Sequence, residues 1–156
     1  MGIWLSHGCR PDDFISHRAA VVFPAEGLAL VSSFIWVALG GAVGSVARFG
    51  VNLAAPRLFG ADFPWATLIV NILGSLIMGF LAAFLAEKHS DQPDLQLFLL
   101  TGVLGGFTTF SAFSLDVFNL VQRGESSTAM IYASASVVLS IVAVFAGFVV
   151  SRAIIA

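Results

Sequence analysis

The sequence has very little charge. Only 10% of its 156 residues are Asp, Glu, Lys or Arg, whereas 58% are hydrophobic and the mean hydropathy is +0.97. A soluble domain carries roughly 25% charged residues, because its surface faces water. So few charges cannot cover a soluble globule, which indicates an integral membrane protein with lipid as part of its solvent.

Cysteine, histidine and basic residues are also scarce. Cys9 is the single cysteine, which excludes an intramolecular disulfide and a cysteine cluster for a metal. His7, His17 and His89 lie in polar stretches without the spacing of metal ligands. The net charge of −2 offers no basic patch for nucleic acid. The sequence also lacks the GxxxxGKS/T nucleotide motif and a Ser/His/Asp arrangement in its hydrophobic segments, so we do not expect an enzyme.

Four hydrophobic segments are long enough to cross a bilayer, which needs roughly 20 apolar residues per helix. They cover about residues 34–53, 65–86, 95–120 and 129–151, and Pro56 is expected to end the first. Short linkers that hold the helix breakers and charges make consecutive helices antiparallel neighbours. The predicted fold is an all-α membrane protein with four transmembrane helices.

The first 33 residues do not fit this pattern. Asp12, Asp13, Pro24 and Glu26 interrupt any apolar run, and no signal-peptide core precedes a small-residue cleavage site. We predict that residues 1–33 are a disordered, dispensable extension and that residues 34–156 form the transmembrane domain. Loss of transport after deletion of residues 1–30 would contradict this.

The third segment contains residues that disfavour a regular helix. Its middle holds three glycines and three hydroxyl side chains, namely Gly102, Gly105, Gly106, Thr108, Thr109 and Ser111. Each glycine costs a helix about 1 kcal/mol relative to alanine, and non-helical backbone is tolerated in a bilayer only where protein or water surrounds it. We expect a broken third helix whose freed backbone groups bind ions. A straight helix with small residues for close packing is an equally good interpretation of the glycines alone.

The basic residues give almost no topological bias. Arg57 and Arg123 fall on one side of a four-helix arrangement, and Lys88 and Arg152 fall on the other, where Arg10 and Arg18 count only if the N-terminal extension is real. With that extension set aside, the two sides are balanced. Because the Lys/Arg asymmetry of short loops orients a membrane protein, two against two predicts insertion in both orientations. Two opposed copies would then pair about a two-fold axis in the membrane plane, although a single orientation set by weaker signals remains open.

Two polar stripes with i+4 spacing run along the second and fourth segments. They comprise Thr67, Asn71 and Ser75 in the second segment, and Tyr132, Ser136 and Ser140 in the fourth. Unpaired polar groups in hydrocarbon cost several kcal/mol, so the stripes face protein or water. Their neutral hydrogen-bond donors suit an anion pathway, whereas interhelical hydrogen bonding is the structural alternative.

Aromatic and charged side chains in the segments add to this pattern. Phe110 and Phe113 share a helix face, and the positive edges of their rings can solvate an anion weakly. Arg48 either extends to the helix end or raises the potential of an aqueous vestibule for anions. Asp116 either pairs with a cation or faces water.

Three stretches resemble the motifs of one known family. They are GAVGSVARF over residues 41–49, TLIVNILGS over residues 67–75 and GVLGGFTTFSAFS over residues 102–114. The last is similar to the pattern GxxGGxTTFSTFS and departs from it at Ala112, where the pattern has the hydroxyl of a threonine. The resemblance covers about residues 34–152, and the family is that of the CrcB/Fluc fluoride channels.

The resemblance implies a fluoride-selective channel of the cell (inner) membrane that gives passive fluoride efflux. It also implies an antiparallel, dual-topology homodimer with two pathways, and a structural Na⁺ ion at the dimer interface held by the backbone carbonyls of Gly105 and Thr108 from both subunits. With Thr67 and Ser111 included as further hydroxyls, the predicted fluoride pathway comprises Asn71, Phe110, Phe113, Thr67, Ser111, Tyr132, Ser136, Ser140 and Arg48.

Two other functions are compatible with a small hydrophobic bundle. A dual-topology multidrug exporter would need a membrane-embedded carboxylate for proton exchange, and the first segment has none. A non-transporting membrane subunit would only pack within a larger complex. Fluoride flux through the purified protein without a proton gradient would distinguish a channel from both.

Overall fold

A computed structural model describes residues 27–155 and the side chains from residue 30 onward. Residues 1–26, which make up most of the predicted extension and include Cys9, lie outside the described residues. The chain divides into one unit of residues 1–31 and another of residues 32–156. Residues 27–31 are helical, and the contacts below all belong to the second unit.

The described residues are helical apart from short turns and one extended pair. The elements are α1 (Gly27–Phe59), α2 (Trp65–Lys88), α3 (Pro93–Gln96), a π-helix (Leu97–Leu104), α4 (Gly105–Phe107), α5 (Phe110–Gln122) and α6 (Ser126–Ile155). Four helical stretches in residues 30–155 are long and apolar enough to cross a membrane. This confirms the four spans expected from the sequence and a multi-pass membrane protein.

The first helix is longer at both ends than the predicted span of residues 34–53. It begins at Gly27, inside the predicted extension, and continues through Pro56 to Phe59, so the expectation that Pro56 ends it is wrong. Proline removes one backbone hydrogen bond and usually kinks a helix, but membrane helices tolerate it. Since Pro56 lies in the last turn, little helix remains beyond it to be displaced.

Helical backbone continues from residue 93 to residue 107 in the third stretch and resumes at Phe110. Between them Thr108 and Thr109 have extended backbone, with φ/ψ of −76°/160° and −155°/122°. The π-helix before them has wider turns than an α-helix, a departure often found at functional positions.

Two glycines with positive φ end helices at the same end of the bundle. Gly60 (φ 86°) follows α1 and Gly124 (φ 81°) follows α5, a conformation that glycine adopts without the steric cost of a Cβ. The Arg123 guanidinium donates to the Asp62 carbonyl at 3.2 Å. This contact joins the first and third linkers, as expected for four antiparallel crossings.

Helices α2 and α6 pack closely and run in the same direction. Gly79 lies so close to the Val144 carbonyl oxygen that no Cβ would fit there, and Glu87 lies 4.0 Å from Arg152 farther along both helices. The second contact lies eight residues after the first in both helices, so the two helices are parallel. A small core joins this pair to α5 through Leu68, Leu120, Ala129 and Tyr132.

Helix α1 packs against the π-helix across another glycine contact. A Cβ at Gly40 would meet the Phe98 carbonyl oxygen, and one at Gly44 would meet the Val103 carbonyl oxygen. Trp36 contacts Phe98 edge-on, with ring centroids 6.0 Å apart. Backbone-to-backbone approach of this kind is typical of small-residue helix interfaces in membranes.

Candidate functional site

A groove of about 350 Å³ lies where α2, the extended pair, α5 and α6 meet. It is lined by Asn71, Ser75, Met78, Thr108, Thr109, Phe110, Phe113, Ser136, Val137, Ser140, Ile141 and Val144. None of these lining side chains carries a charge. The groove therefore combines amide and hydroxyl groups with aromatic rings and aliphatic walls.

Asn71 holds the extended pair through two hydrogen bonds. Its Nδ2 donates to the Thr109 carbonyl at 2.9 Å, and the Thr109 N–H donates to its Oδ1 at 2.8 Å. A side-chain amide carries the same donor and acceptor as a peptide group, so Asn71 satisfies both backbone groups of an extended residue. After these two hydrogen bonds, the second N–H of Nδ2 is the one side-chain donor of Asn71 that remains.

The threonine side chains stabilise the ends of the neighbouring helices. Thr109 is the N-cap of α5, since its Oγ1 accepts from the Ala112 N–H at 3.1 Å, and such caps satisfy backbone donors that a helix start leaves free. The Thr108 hydroxyl donates to the Leu104 carbonyl at 2.9 Å, and its methyl group occupies space that a side chain at Gly74 would need.

A row of aromatic rings leads from the mouth of the groove into the core. The Phe110 ring is 76% exposed and lies 5.4 Å from Phe113, which lies 5.5 Å from Tyr132. Centroid separations in this range are typical of paired aromatic side chains. The exposed Phe110 ring is therefore the surface end of this row.

The polar stripe of the fourth segment lies on α6, partly in the groove and partly in the core. Ser136 and Ser140 line the groove, whereas Tyr132 is fully buried and donates from its hydroxyl to Asp116 Oδ2 at 3.2 Å. Asp116 thus accepts a hydrogen bond from a tyrosine, a partner that the sequence did not suggest. The Ser136 hydroxyl is buried close to the Tyr132 hydroxyl, but it makes no hydrogen bond of normal geometry to the described residues.

The structure brings five of the nine predicted pathway residues into the groove: Asn71, Phe110, Phe113, Ser136 and Ser140. Thr67 is buried in the bundle with 7% exposure. The Ser111 hydroxyl lies 3.2 Å from Thr109 Oγ1 but outside the groove lining. Arg48 is half-buried on α1, also outside the lining. With Tyr132, these residues lie apart from the groove surface.

Thr109 and the aliphatic lining were missed as site residues by sequence reasoning. The signal for Thr109 is weak, because Asn71 is 38 residues away along the chain. Met78, Ile141 and Val144 complete the groove walls. Met78 lies seven positions after Asn71, which is two helical turns, so helical periodicity alone places it on the Asn71 face.

The backbone around the extended pair leaves two carbonyl groups without their usual helical donors. The donor for the Gly105 carbonyl would be the Thr109 N–H, which instead donates to Asn71. The donor for the Thr108 carbonyl would be the Ala112 N–H, which instead donates to Thr109 Oγ1. Within residues 27–155, no three His, Cys, Asp or Glu side chains are grouped to hold a metal, so a cation here would depend on backbone oxygens.

A second, smaller cavity of about 220 Å³ lies under the first linker. Its lining includes Asp62, Asp116, Asn119 and Arg123. Arg123 is held by the Asp62 carbonyl and by Glu125, whose Oε1 lies 3.2 Å from Nε. The Arg123 side chain of this cavity therefore joins the first and third linkers.

Comparisons with known proteins agree with this architecture. Residues 35–148 match the family described as CrcB-like protein, Camphor Resistance (CrcB). A fluoride-specific ion channel FluC of Paracoccus denitrificans is 57% identical over 124 residues, which are 80% of this chain and 98% of that protein. Proteins of the same name from Rhizobium johnstonii and Rhizobium meliloti are 52% and 47% identical over 120 and 125 residues. These alignments cover 77% and 80% of this chain, and 96% and 100% of the two relatives.

Proposed function

Because the chain belongs to the CrcB family, we propose that it is a fluoride-selective channel that lets fluoride leave the cell passively. In acidic surroundings hydrogen fluoride crosses the membrane as a neutral acid and dissociates at cytoplasmic pH. The fluoride anion is then trapped in the cell until a pore releases it. The relatives named as fluoride-specific channels match nearly their whole length. Passive efflux would confer fluoride resistance.

The observation that carries this proposal is the uncharged groove. Ser136 and Ser140 line the groove together with Phe110 and Phe113. Fluoride is small and strongly hydrated, so a pathway has to replace its water without trapping the ion. Neutral hydroxyl donors with weak aromatic edges meet both requirements.

An antiparallel homodimer is the assembly that the exposed surface favours. Phe110 at the mouth of the groove is 76% exposed, and a second copy would cover it and complete a closed pathway. When Arg10 and Arg18 of the N-terminal extension are set aside, two basic residues fall on each side, a balance that supports opposed orientations. Tandem fusions test this proposal: an inverted pair, joined through an added transmembrane linker, should conduct, and a parallel pair should not.

Na⁺ at the dimer interface is supported by the free backbone oxygens. The carbonyls of Gly105 and Thr108 have lost their helical donors to side chains, and Gly105 is exposed. Carbonyl oxygens suit a hard cation such as Na⁺, which would supply positive charge beside the anion pathway. Na⁺ should stay bound during conduction. A current that reverses at the sodium potential would contradict this static role.

Reconstitution of the purified protein tests the function directly. Liposomes loaded with fluoride should release it through the protein without a proton gradient, as measured with a fluoride-selective electrode. Dependence on a proton gradient would favour a coupled exporter of the multidrug type. Equal passage of chloride and fluoride, or of neither, would refute the channel proposal.

A further inference from the structure

The Asn71 side chain is already occupied by backbone groups. Its Nδ2 donates to the Thr109 carbonyl at 2.9 Å, and its Oδ1 accepts from the Thr109 N–H at 2.8 Å. One N–H of Nδ2 is all that remains to donate into the groove. A direct ligand for an anion would instead be expected to present its donors to the groove.

Thr109 needs this partner because of its conformation. Its φ/ψ of −155°/122° is that of a strand residue, but the neighbouring elements are helices, whose backbone groups bond internally. Unpaired backbone groups away from water are strongly disfavoured. The two bonds from Asn71 replace those that a neighbouring strand would make.

The position of Thr109 also determines where α5 begins. Thr109 caps this helix through the Ala112 N–H at 3.1 Å, and Phe110 is the first helical residue after it. Its ring lines the groove and lies 5.4 Å from Phe113. A shift of the Thr109 backbone would therefore displace the Phe110 ring.

Helix α2 supports the extended pair at a second point. Gly74 lies three residues after Asn71, on the same helix face. A Cβ at Gly74 would meet the Thr108 methyl group and the Phe107 ring. The same face of α2 thus makes room for residues 107 and 108 and holds residue 109.

We propose that Asn71 is a positioning residue that fixes the Thr109 backbone and thereby sets where the Phe110 ring stands in the groove. This deepens the proposed function, because the ring contributes to the anion pathway only if the protein is a fluoride channel. The position of the ring itself does not depend on conduction and can be measured separately.

Fluorine NMR of the protein with 4-fluorophenylalanine at position 110 tests the position of the ring. In fluoride-free buffer, Asn71→Ser should shift or broaden this resonance, because serine cannot make both bonds to Thr109. Asn52→Ser is the matched control: it makes the same change at an exposed position of α1 and should leave the resonance in place. A resonance that is identical in Asn71→Ser and the unsubstituted protein would overturn the proposal.

A backbone substitution tests the link without changing Asn71. Replacing Thr109 by its α-hydroxy acid removes the N–H that donates to Oδ1 and keeps the side chain. Because it also makes the Thr108 carbonyl a weaker ester acceptor, efflux is measured at a Na⁺ concentration high enough that more Na⁺ no longer changes it. We expect fluoride efflux to fall roughly tenfold, which corresponds to about 1.4 kcal/mol. The same ester at Leu115, which is 58% exposed on α5, removes one ordinary helical bond and should change efflux little.

The two measurements separate the possible outcomes. If Asn71→Ser abolishes efflux while the ester at Thr109 leaves it unchanged, Asn71 acts as a direct ligand and the positioning role is refuted. If the unsubstituted protein passes no fluoride, the proposed function fails. The NMR comparison would then still confirm or overturn the effect of Asn71 on the Phe110 ring.

Discussion

On the α2 wall of the groove, Asn71 is paired with the Thr109 backbone, whereas on the α6 wall the Ser136 hydroxyl has no partner among residues 27–155. Both residues line the same groove. A paired amide gains nothing by turning to an ion, but a buried unpaired hydroxyl carries a desolvation cost of about 1–3 kcal/mol. An anion that accepts from Ser136 would remove that cost.

The difference suggests that the α2 wall and the α6 wall of the groove have different roles. The α2 wall keeps the extended pair and the start of α5 in place. The α6 wall carries the Ser136 and Ser140 hydroxyls, which in the proposed function would replace water around an ion. Substitutions on the α2 wall should therefore act through the backbone, and substitutions on the α6 wall should act on the ion directly.

Asn71→Asp should have the largest effect of the single substitutions considered. A carboxylate cannot donate to the Thr109 carbonyl, which lies 2.9 Å from Nδ2, and it adds negative charge to the proposed anion pathway. We expect initial fluoride efflux to fall roughly a hundredfold, or about 2.7 kcal/mol, while size-exclusion chromatography shows the same oligomeric size as for the unsubstituted protein. Asn52→Asp on α1 introduces the same charge at an exposed position and should retain most of the efflux.

Phe110→Ile should reduce efflux roughly tenfold, a change of about 1.4 kcal/mol. Isoleucine keeps an apolar side chain but lacks the positive ring edge that can face an anion. Because Phe110 is 76% exposed, the thermal stability of the protein should change little. Phe118→Ile, 56% exposed on the same helix, is the control and should conduct normally. Full efflux in both Phe110→Ile and Asn71→Asp would remove the assignment of this groove as the pathway.

Hydrophobic length was sufficient to predict the four spans, because it depends only on bilayer thickness. The limits of the first span were not predictable in the same way. Pro56 lies in the last turn of α1, where the loss of one backbone bond is tolerated, and residue type alone does not give this position. Helix ends depend on local contacts more than on composition.

The site was predictable to the extent that it follows helical periodicity. The i+4 spacing placed Asn71 and Ser75 on one face and Ser136 and Ser140 on another, and the structure brings both pairs into one groove. The same spacing also included Thr67 and Tyr132, which are buried away from the groove lining, because a stripe does not indicate where along a helix the groove ends.

Contacts between distant parts of the chain could not be read from the pattern. The glycines and threonines of the third segment left a broken and a straight helix equally open, and the extended backbone lies at Thr108 and Thr109, after the glycines. Its stabilisation depends on Asn71, which comes from another helix. The hydrogen bond from Tyr132 to Asp116 was likewise not predictable, because these residues meet only when α5 and α6 pack.

Ser136→Ala should lower efflux without lowering the stability of the protein. Removal of a buried unpaired hydroxyl should leave stability unchanged or raise it by about 1 kcal/mol. The loss of a free donor should lower efflux several-fold. Thermal unfolding in detergent and electrode-based efflux measure the two quantities.

Ser151→Ala provides the matched control for Ser136→Ala. Ser151 is also a buried serine of α6 whose hydroxyl has no partner among the described residues, but it lies outside the groove lining. The effect on stability should have the same sign, and efflux should remain normal. Equal losses of efflux in the two variants would show that Ser136 acts by packing and not as a donor.

Thr108→Val should have the smallest effect, although this residue lines the groove and is a proposed sodium ligand. The Leu104 carbonyl that accepts from the Thr108 hydroxyl also accepts from its N–H at 3.0 Å, so it stays paired after the substitution. We expect a loss of about 0.5 kcal/mol in the free energy of unfolding and efflux within about twofold of normal. Valine keeps the methyl group beside Gly74, and the backbone carbonyl proposed to hold Na⁺ is unchanged. A large loss of efflux in Thr108→Val would mean that the Thr108 hydroxyl contacts an ion. The wall of the groove formed by α2 and the extended pair would then also donate to the ion, in addition to holding the start of α5 in place.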